Sequence, residues 1–357
     1  MMTNPIWKNE ERFGIALQDL YRRYGYIPYK MSRFEEDDLY VRNKDFLVSD
    51  QIITFSDRGG RLLAMKPDVT LSIVKNAPEA PGVVQKVYYN ENVYRDYREI
   101  QQTGLECVGD LGSYEIAEVV LLAAKSLQQL GSRWVLDISH MGLLAAVLNS
   151  SGLSPEEQQM AMAYLHRKNY HQLKDLCGNR PAWEKLSVIA ACRGGREALA
   201  QIASVLTTEE EQREHQQLKG LWEILEAAGC GESVRLDFSV GNNMRYYSGV
   251  VFRGYLEGIP ASVLSGGQYD KLPRKMGRKA KAIGFAMYLD LLQNRNLQED
   301  AFDVDTLILH DGTADPLVLT AAAEEAAAKG TVLVTRELPT GRNWKRLMRF
   351  EKGVWVQ

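Results

Sequence analysis

The chain has 357 residues, 45% of them hydrophobic and 25% charged, with a formal net charge of -3. That length suggests about two or three domains. The balance is that of an ordinary globular protein and excludes a strongly basic chain built to hold a phosphate backbone, while leaving room for a local basic patch.

Four scattered cysteines, Cys107, Cys177, Cys192 and Cys230, form no C-x-x-C pair. They read as reduced thiols rather than a disulfide frame or a zinc site. The histidines His140, His166, His171, His215 and His310 show no ligand spacing, so neither a metal nor another cofactor is expected. The opening residues Met1 to Glu11 lack an apolar run after a basic start, and no stretch reaches the ~18–20 apolar residues of a membrane span. A cytoplasmic protein without membrane association is expected.

In chain order, Phe13, Leu17, Leu20 and Tyr21 recur at helical spacing within 7–25, and Gly25 supplies a stop. Tyr26 to Tyr29 reads as a short strand. Ile52–Phe55 and Leu62–Met65 read as a hairpin around Asp57-Arg58-Gly59-Gly60, closed by Pro67, after which Asp68 or Thr70 can cap a helix. Two strands, Val84–Tyr94 and Ile100–Val108, are separated by only Arg95 to Glu99. A long helix over Ser113–Leu130 and a strand over Trp134–Ile138 follow.

Residues 140–230 change character to charged helices, with starts at Ser154-Pro155-Glu156-Glu157 and Thr207-Thr208-Glu209-Glu210-Glu211. Strand patterns return at Ser233–Phe238, Tyr246–Tyr255, Ala261–Leu264 and Ala282–Met287, with a helix then running through Leu292. Residues 293–302 are linker-like. Strand Thr306–His310, helix Pro316–Lys329, strand Thr331–Val334 and helix Asn343–Phe350 form a small α/β unit. The predicted division is a core of 1–140 with 231–295, a helical insertion at 141–230, and a C-terminal unit at 303–357. The predicted class is α+β, an antiparallel sheet flanked by helices.

Some of these residues have chemistry suited to a small zwitterion. Asp68, Thr70 and Glu106 are acceptors of the kind an ammonium needs. Gln102 can donate or accept, Tyr247 and Tyr269 offer hydroxyls and flat faces, and Gly266-Gly267 lets backbone approach a ligand. Each has a plainer reading: Asp68 and Thr70 as caps, Glu106 as a paired or solvent-facing carboxylate, Tyr246 and Tyr247 as strand aromatics, and the glycine pair as a bulge or turn.

Three stretches taken together resemble the histidyl-tRNA synthetases, a class II aminoacyl-tRNA synthetase family. Met65-Lys66-Pro67-Asp68-Val69-Thr70 resembles their Arg-Pro-Glu-x-Thr segment. Val93-Tyr94-Arg95 with Gln102-Thr103-Gly104-Leu105-Glu106-Cys107-Val108-Gly109 resembles motif 2. Tyr246-Tyr247-Ser248-Gly249-Val250-Val251-Phe252 with Gly266-Gly267-Gln268-Tyr269-Asp270 and Ala282–Met287 resembles the histidine-specific segment and motif 3. Order and spacing match over about residues 8–292. The resemblance implies that Asp68, Thr70, Gln102 and Glu106 grip the amino-acid backbone of histidine, that Glu106 also reaches the ring and Tyr247 faces it, and that Tyr246 and Tyr269 complete the histidine-binding set. Asp68 stands where the family has glutamate, which shortens one arm of the pocket.

The departures concern ATP. The family's catalytic arginine position holds Asn242, with Arg245 in place of an aspartate; motif 3's Gly-Leu-Glu-Arg is Tyr288-Leu289-Asp290-Leu291. Arg95 survives, but the loop after it is cut to Asp96–Glu99. Losing one group that clamps developing phosphate charge costs about 2–4 kcal/mol, and three are altered here. The expected proline of motif 1 is absent at Tyr29-Lys30-Met31-Ser32-Arg33, and the C-terminal unit is shorter than an anticodon-binding domain.

A histidine pocket without ATP chemistry resembles the regulatory-subunit family of ATP phosphoribosyltransferase. That resemblance implies a non-catalytic chain, homodimeric within a hetero-oligomer. It would activate a short-form catalytic subunit in the first step of histidine biosynthesis and take part in feedback inhibition by histidine, with tRNA binding not expected. Two other readings stay open: a divergent histidyl-tRNA synthetase, and a paralogue binding tRNA or another amino acid.

Overall fold

A computed structural model describes residues 9–47, 51–131, 133–241, 246–292, 302–340, 342–351 and 354–356. It divides into two compact units, one made of 14–291 and the other of 1–13 with 292–357. Among the described residues no helix is long and apolar enough to cross a membrane.

Unit 14–291 begins within helix α1 (Asn9–Arg23), which ends in Arg22 and Arg23, favourable at a helix C-terminus. Short strands β1 (Ile27–Pro28) and β2 (Phe34–Glu36) lead to helix α2 (Asp37–Arg42). The expected hairpin forms as β3 (Thr54–Ser56) and β4 (Leu62–Met65), and β2 joins it to make a three-stranded antiparallel sheet. Helix α3 (Thr70–Asn76) has Val69 at its N-cap position, and it is the carboxylate of Asp68 that accepts from the Leu71 amide at 2.9 Å.

The main hairpin pairs β5 (Val84–Arg95) with β6 (Arg98–Gly109) over twelve residues each. Only Asp96 and Tyr97 lie between, with φ of 51° and 57°, the two left-handed residues of a type I′ turn. Helix α4 (Ser113–Leu130) then buries an apolar stripe that includes Val119, Val120, Leu122, Leu127 and Leu130. Strand β7 (Trp134–His140) opens onto the helical run α5 (Met141–Asn149), α6 (Pro155–His166), α7 (Tyr170–Cys177), α8 (Ala182–Ala191), α9 (Arg196–Val205) and α10 (Glu209–Ala227). Helices α6 and α10 start at the two predicted segments, and Ser154 and Thr208 cap them with reciprocal capping boxes. His140 caps α5 by accepting from the Leu143 amide at 3.1 Å, and burial lowers its pKa to about 4, which keeps the acceptor nitrogen unprotonated.

The chain returns to the sheet in β8 (Val234–Leu236), β9 (Val250–Leu256), β10 (Leu264–Gln268), a short helix α11 (Lys271–Lys275), and β11 (Lys281–Tyr288). The eight-stranded order is β1-β5-β6-β11-β10-β9-β7-β8, antiparallel except for the β1/β5 and β7/β8 pairs. Strand β9 begins at Val250, later than the sequence pattern suggested, since Ser248 and Gly249 precede it in a bend. Gly266 and Gly267 lie inside β10 rather than in a turn or bulge. A 3-10 turn, Leu289–Leu292, replaces the expected helix.

Directly opposed residues share a face of the sheet. Leu105, Phe285, Gly266 and Phe252 form one such row, on the face where α4 and Tyr21 of α1 pack. Gly104, Ala286, Ser265 and Arg253 form the adjacent row and point the other way. Because a helix covers one face and a cavity lies over the other, β11 lacks the simple buried–exposed alternation of a half-solvated strand.

The second unit, residues 292–357 with 1–13, carries a four-stranded sheet in the order β13-β12-β14-β15. Its elements are β12 (Val304–His310), α12 (Pro316–Ala327), β13 (Val332–Thr335), β14 (Trp344–Glu351) and β15 (Val354–Val356). The helix expected over 343–350 is corrected here to strand β14. Its charged, helix-compatible composition is overridden by parallel pairing with β12 and by burial of Phe350, whose ring meets Trp355 edge-on at 5.1 Å.

Candidate functional site

The face of the sheet not covered by α4 forms the floor of a cavity of about 690 Å³, within the usual range for small-molecule sites. Small residues make this floor: Gly104 on β6, Gly284 and Ala286 on β11, Ser265 and Gly267 on β10. A Cβ on Gly104 would lie 2.2 Å from the Phe285 carbonyl oxygen; on Gly267 it would lie 2.7 Å from that of Val250 and 2.8 Å from the Tyr247 ring. These glycines let backbone and large side chains close around the space, the usual meaning of glycine inside a strand.

All seven residues singled out by sequence for a ligand, Asp68, Thr70, Gln102, Glu106, Tyr246, Tyr247 and Tyr269, line this cavity. Glu106 stands in the middle of β6 and is 2% exposed. The Thr70 hydroxyl donates to its Oε1 at 2.7 Å, and the Tyr269 hydroxyl donates to its Oε2. Burial raises its pKa to about 8; those two hydrogen bonds pull it down, and the nearby charge of Asp68 pushes it up. Asp68 is raised in the same direction, again chiefly by burial, against the Leu71 amide and the Arg95 guanidinium, which lower it. Two carboxylates with raised pKa in one cavity form a site that gains from a cation.

Gln102 is buried, and its side chain makes no hydrogen bond to a described residue, so its amide is available to a ligand. The tyrosines form an aromatic wall: the Tyr246 ring lies 4.6 Å from Tyr247, 5.6 Å from Tyr269 and 5.5 Å from Phe46. Tyr269 is held where it is by α11 and by the Tyr269 amide donating to the Ala282 carbonyl.

The positions read as altered for ATP separate. Tyr288 lines the cavity, and its hydroxyl lies 2.7 Å from Ser265 Oγ. Leu291 is 38% exposed and is not part of the cavity lining. Asn242, like Arg245, lies outside the described residues. Arg95 survives as a cavity residue, 7% exposed, with no hydrogen-bond partner for its Nε.

Sequence reading missed Tyr89, Arg253 and Ser265 as lining residues. Arg253 had a signal, a lone charge inside the apolar run Val250–Leu256; Tyr89 and Ser265 had none beyond strand alternation. Among the described residues no group of three or more His, Cys, Asp or Glu could hold a metal ion, and the four cysteines are free and buried.

A family model described as histidyl-tRNA synthetase matches residues 2–292. An ATP phosphoribosyltransferase regulatory subunit from Syntrophotalea carbinolica is 29% identical, over 96% of this chain and 85% of its own. A solved structure described as an ATP phosphoribosyltransferase regulatory subunit/histidyl-tRNA synthetase from Bacillus halodurans superposes with a TM-score of 0.76 at 24% identity, covering 96% of this chain and 94% of that one. A chain of the ATP phosphoribosyl transferase (HisG:HisZ) complex from Thermotoga maritima superposes with a TM-score of 0.63 at 17% identity, covering 79% of this chain and 98% of that one. At those identities the two structures bear on the fold alone.

Proposed function

The chain belongs to the histidyl-tRNA synthetase family, and from that premise we propose that it is a non-catalytic regulatory subunit of ATP phosphoribosyltransferase that senses histidine. The observation carrying this reading is the contrast within one cavity. The carboxylate of Glu106 is held by Thr70 and Tyr269 beside Asp68, Gln102 and a tyrosine wall. Of the positions read as altered for ATP, Tyr288 lines this cavity, while Leu291 lies outside its lining at 38% exposure, and only a two-residue turn joins β5 to β6.

In this reading the ammonium of histidine lies against Asp68, Thr70 and Gln102. Its imidazole pairs with Glu106 and stacks among Tyr246, Tyr247 and Tyr269. The chain performs no chemistry. It docks as a homodimer onto a short-form catalytic subunit, raises its activity, and passes on the inhibitory effect of histidine. A ligand that binds one state of an assembly more tightly than another shifts the equilibrium by that difference in affinity. The names of the relatives support a partner of this kind. The three-part division of the chain and a cytoplasmic location belong to the same proposal.

The test is reconstitution. The purified chain is mixed with a short-form catalytic subunit, and formation of the phosphoribosyl product is followed with and without histidine. The expected result is activity that needs this chain and falls as histidine is added. Histidine-dependent exchange of pyrophosphate into ATP by this chain alone would instead support an active synthetase and sink the proposal.

A further inference from the structure

The cavity has two arginines as well as two carboxylates, and neither arginine makes an ion pair to a described residue. Arg253 projects from β9 into the cavity, half-buried, and its guanidinium makes no hydrogen bond or ion pair to a described residue. Arg95 is 7% exposed with an unpartnered Nε. Such cations cost desolvation free energy unless an anion meets them. Arg95 already has a carboxylate in electrostatic range, since its charge lowers the pKa of Asp68. Arg253 has no ion pair to a described carboxylate: Asp137 stands across from it on β7, and the cations that act most on Asp137 are Arg235, Lys168 and Arg193. The charge of Arg253 reaches Tyr247, a cavity residue.

We infer that Arg253 is the anion anchor of this cavity and takes the carboxylate of the amino acid bound there. The inference rests on the amino-acid reading given above and adds a residue to it. Position favours it. Arg253, Ser265, Ala286 and Gly104 form one straight cross-strand row, with Glu106 two residues further along β6. The row between Arg253 and the β6 strand is itself made of small side chains, with the Tyr288 hydroxyl on Ser265 and the Tyr89 hydroxyl over Gly104 as polar groups beside the path to the acidic wall. Three strand spacings separate β9 from β6, about 14 Å. A guanidinium and a carboxylate reaching inward from the two sides narrow that span towards the length of a small zwitterion. Arginine suits the task because its planar fork can meet a carboxylate in two places.

The test is calorimetric titration of the full chain with two probes, histidine and histamine, which keeps the ammonium and imidazole but lacks the carboxylate. Wild type should bind histidine about tenfold or more tightly than histamine, the size of one charge-assisted contact. Arg253→Met should lower histidine affinity by a similar factor, leave histamine unchanged, and so collapse the ratio; Arg253→Lys should restore part of it. Arg253→Gln makes the same comparison if the methionine variant does not fold. A folded Arg253→Met or Arg253→Gln protein with the wild-type ratio overturns this inference while leaving the histidine site intact. If wild type binds neither probe, the amino-acid reading itself fails, and the assignment of Arg253 falls with it.

Discussion

Gly284 stands directly opposite Glu106 in the β11–β6 register, and a Cβ built on it would lie 1.7 Å from Glu106 Oε2. The glycine therefore makes the space in which the buried carboxylate turns towards Thr70 and Tyr269. In Gly284→Ala the carboxylate must leave that position or the strands must part. Overpacking of this kind costs about 1–3 kcal/mol. The expected outcome is a lower midpoint in urea unfolding, together with loss of histidine binding by titration. A variant with wild-type stability and affinity would mean that the carboxylate is not confined by this glycine.

Two buried groups shift their pKa values in opposite senses and shape the acid–base behaviour of the fold. Glu106 is raised from 4.5 to about 8 by burial. The folded state therefore keeps a proton that the unfolded chain releases. Its contribution to stability is fully present below about pH 4.5 and is lost as the pH rises through about 8. His140 is lowered from 6.5 to about 4 by burial. Its contribution is present above about pH 6.5 and is lost as the pH falls through about 4. The windows overlap, so the wild-type curve partly cancels. Unfolding free energies measured across this range should fall less steeply with rising pH in Glu106→Gln and less steeply with falling pH in His140→Asn, each group accounting for a slope of at most about 1.4 kcal/mol per pH unit. An unchanged slope in Glu106→Gln would show that the carboxyl is ionised in the empty cavity.

Long elements with a clear period were legible from residues alone. Helix α4 occupies Ser113–Leu130 as its apolar spacing and flanking residues indicate, and β5 and β6 flank a gap that could only be a tight turn. Strand β14 was not legible, because Trp344–Glu351 alternates charge with apolar residues in a way that suits either a helix or a strand, and only pairing with β12 decides. The site shows the same split. Its carboxylates, tyrosines and glycines were recognisable because they sit in stretches resembling a known family. Arg253 and Ser265 were not, because their roles depend on which face of β9 and β10 turns away from α4. That choice is made by packing between residues far apart in the chain, such as Leu127 against Gly254.

Lys66 and Glu91 form an ion pair beneath the start of the cavity segment, with side-chain exposures of 3% and 14%. The Lys66 carbonyl also receives the Tyr94 amide, so this pair ties the segment leading into α3 to the β5 strand. Removing one partner of a buried pair leaves an uncompensated charge and costs about 3–5 kcal/mol, whereas replacing both with apolar residues of similar volume is often close to neutral. Glu91→Leu and Lys66→Met alone should each unfold at clearly lower denaturant. The double variant should recover most of the loss, and a thermodynamic cycle over the four proteins would measure the coupling. Additive single effects would show that the two charges are independently solvated.

The turn between β5 and β6 is the last point at which structure and proposed function meet. Asp96 and Tyr97 both have positive φ, at 51° and 57°, and Tyr97 is 80% exposed. A bulky residue in the left-handed region costs roughly 1–2 kcal/mol, and type I′ turns favour glycine at their second central position. Tyr97→Gly should therefore raise unfolding stability by about 1 kcal/mol, while Tyr97→Ala, which keeps a Cβ, should gain little. Histidine affinity should be unchanged in both, because Tyr97 is not among the residues lining the cavity. A fall in stability in Tyr97→Gly would mean that the ring is held by contacts worth more than the strain. A fall in activation of the catalytic partner at unchanged histidine affinity would place this exposed turn on the docking surface.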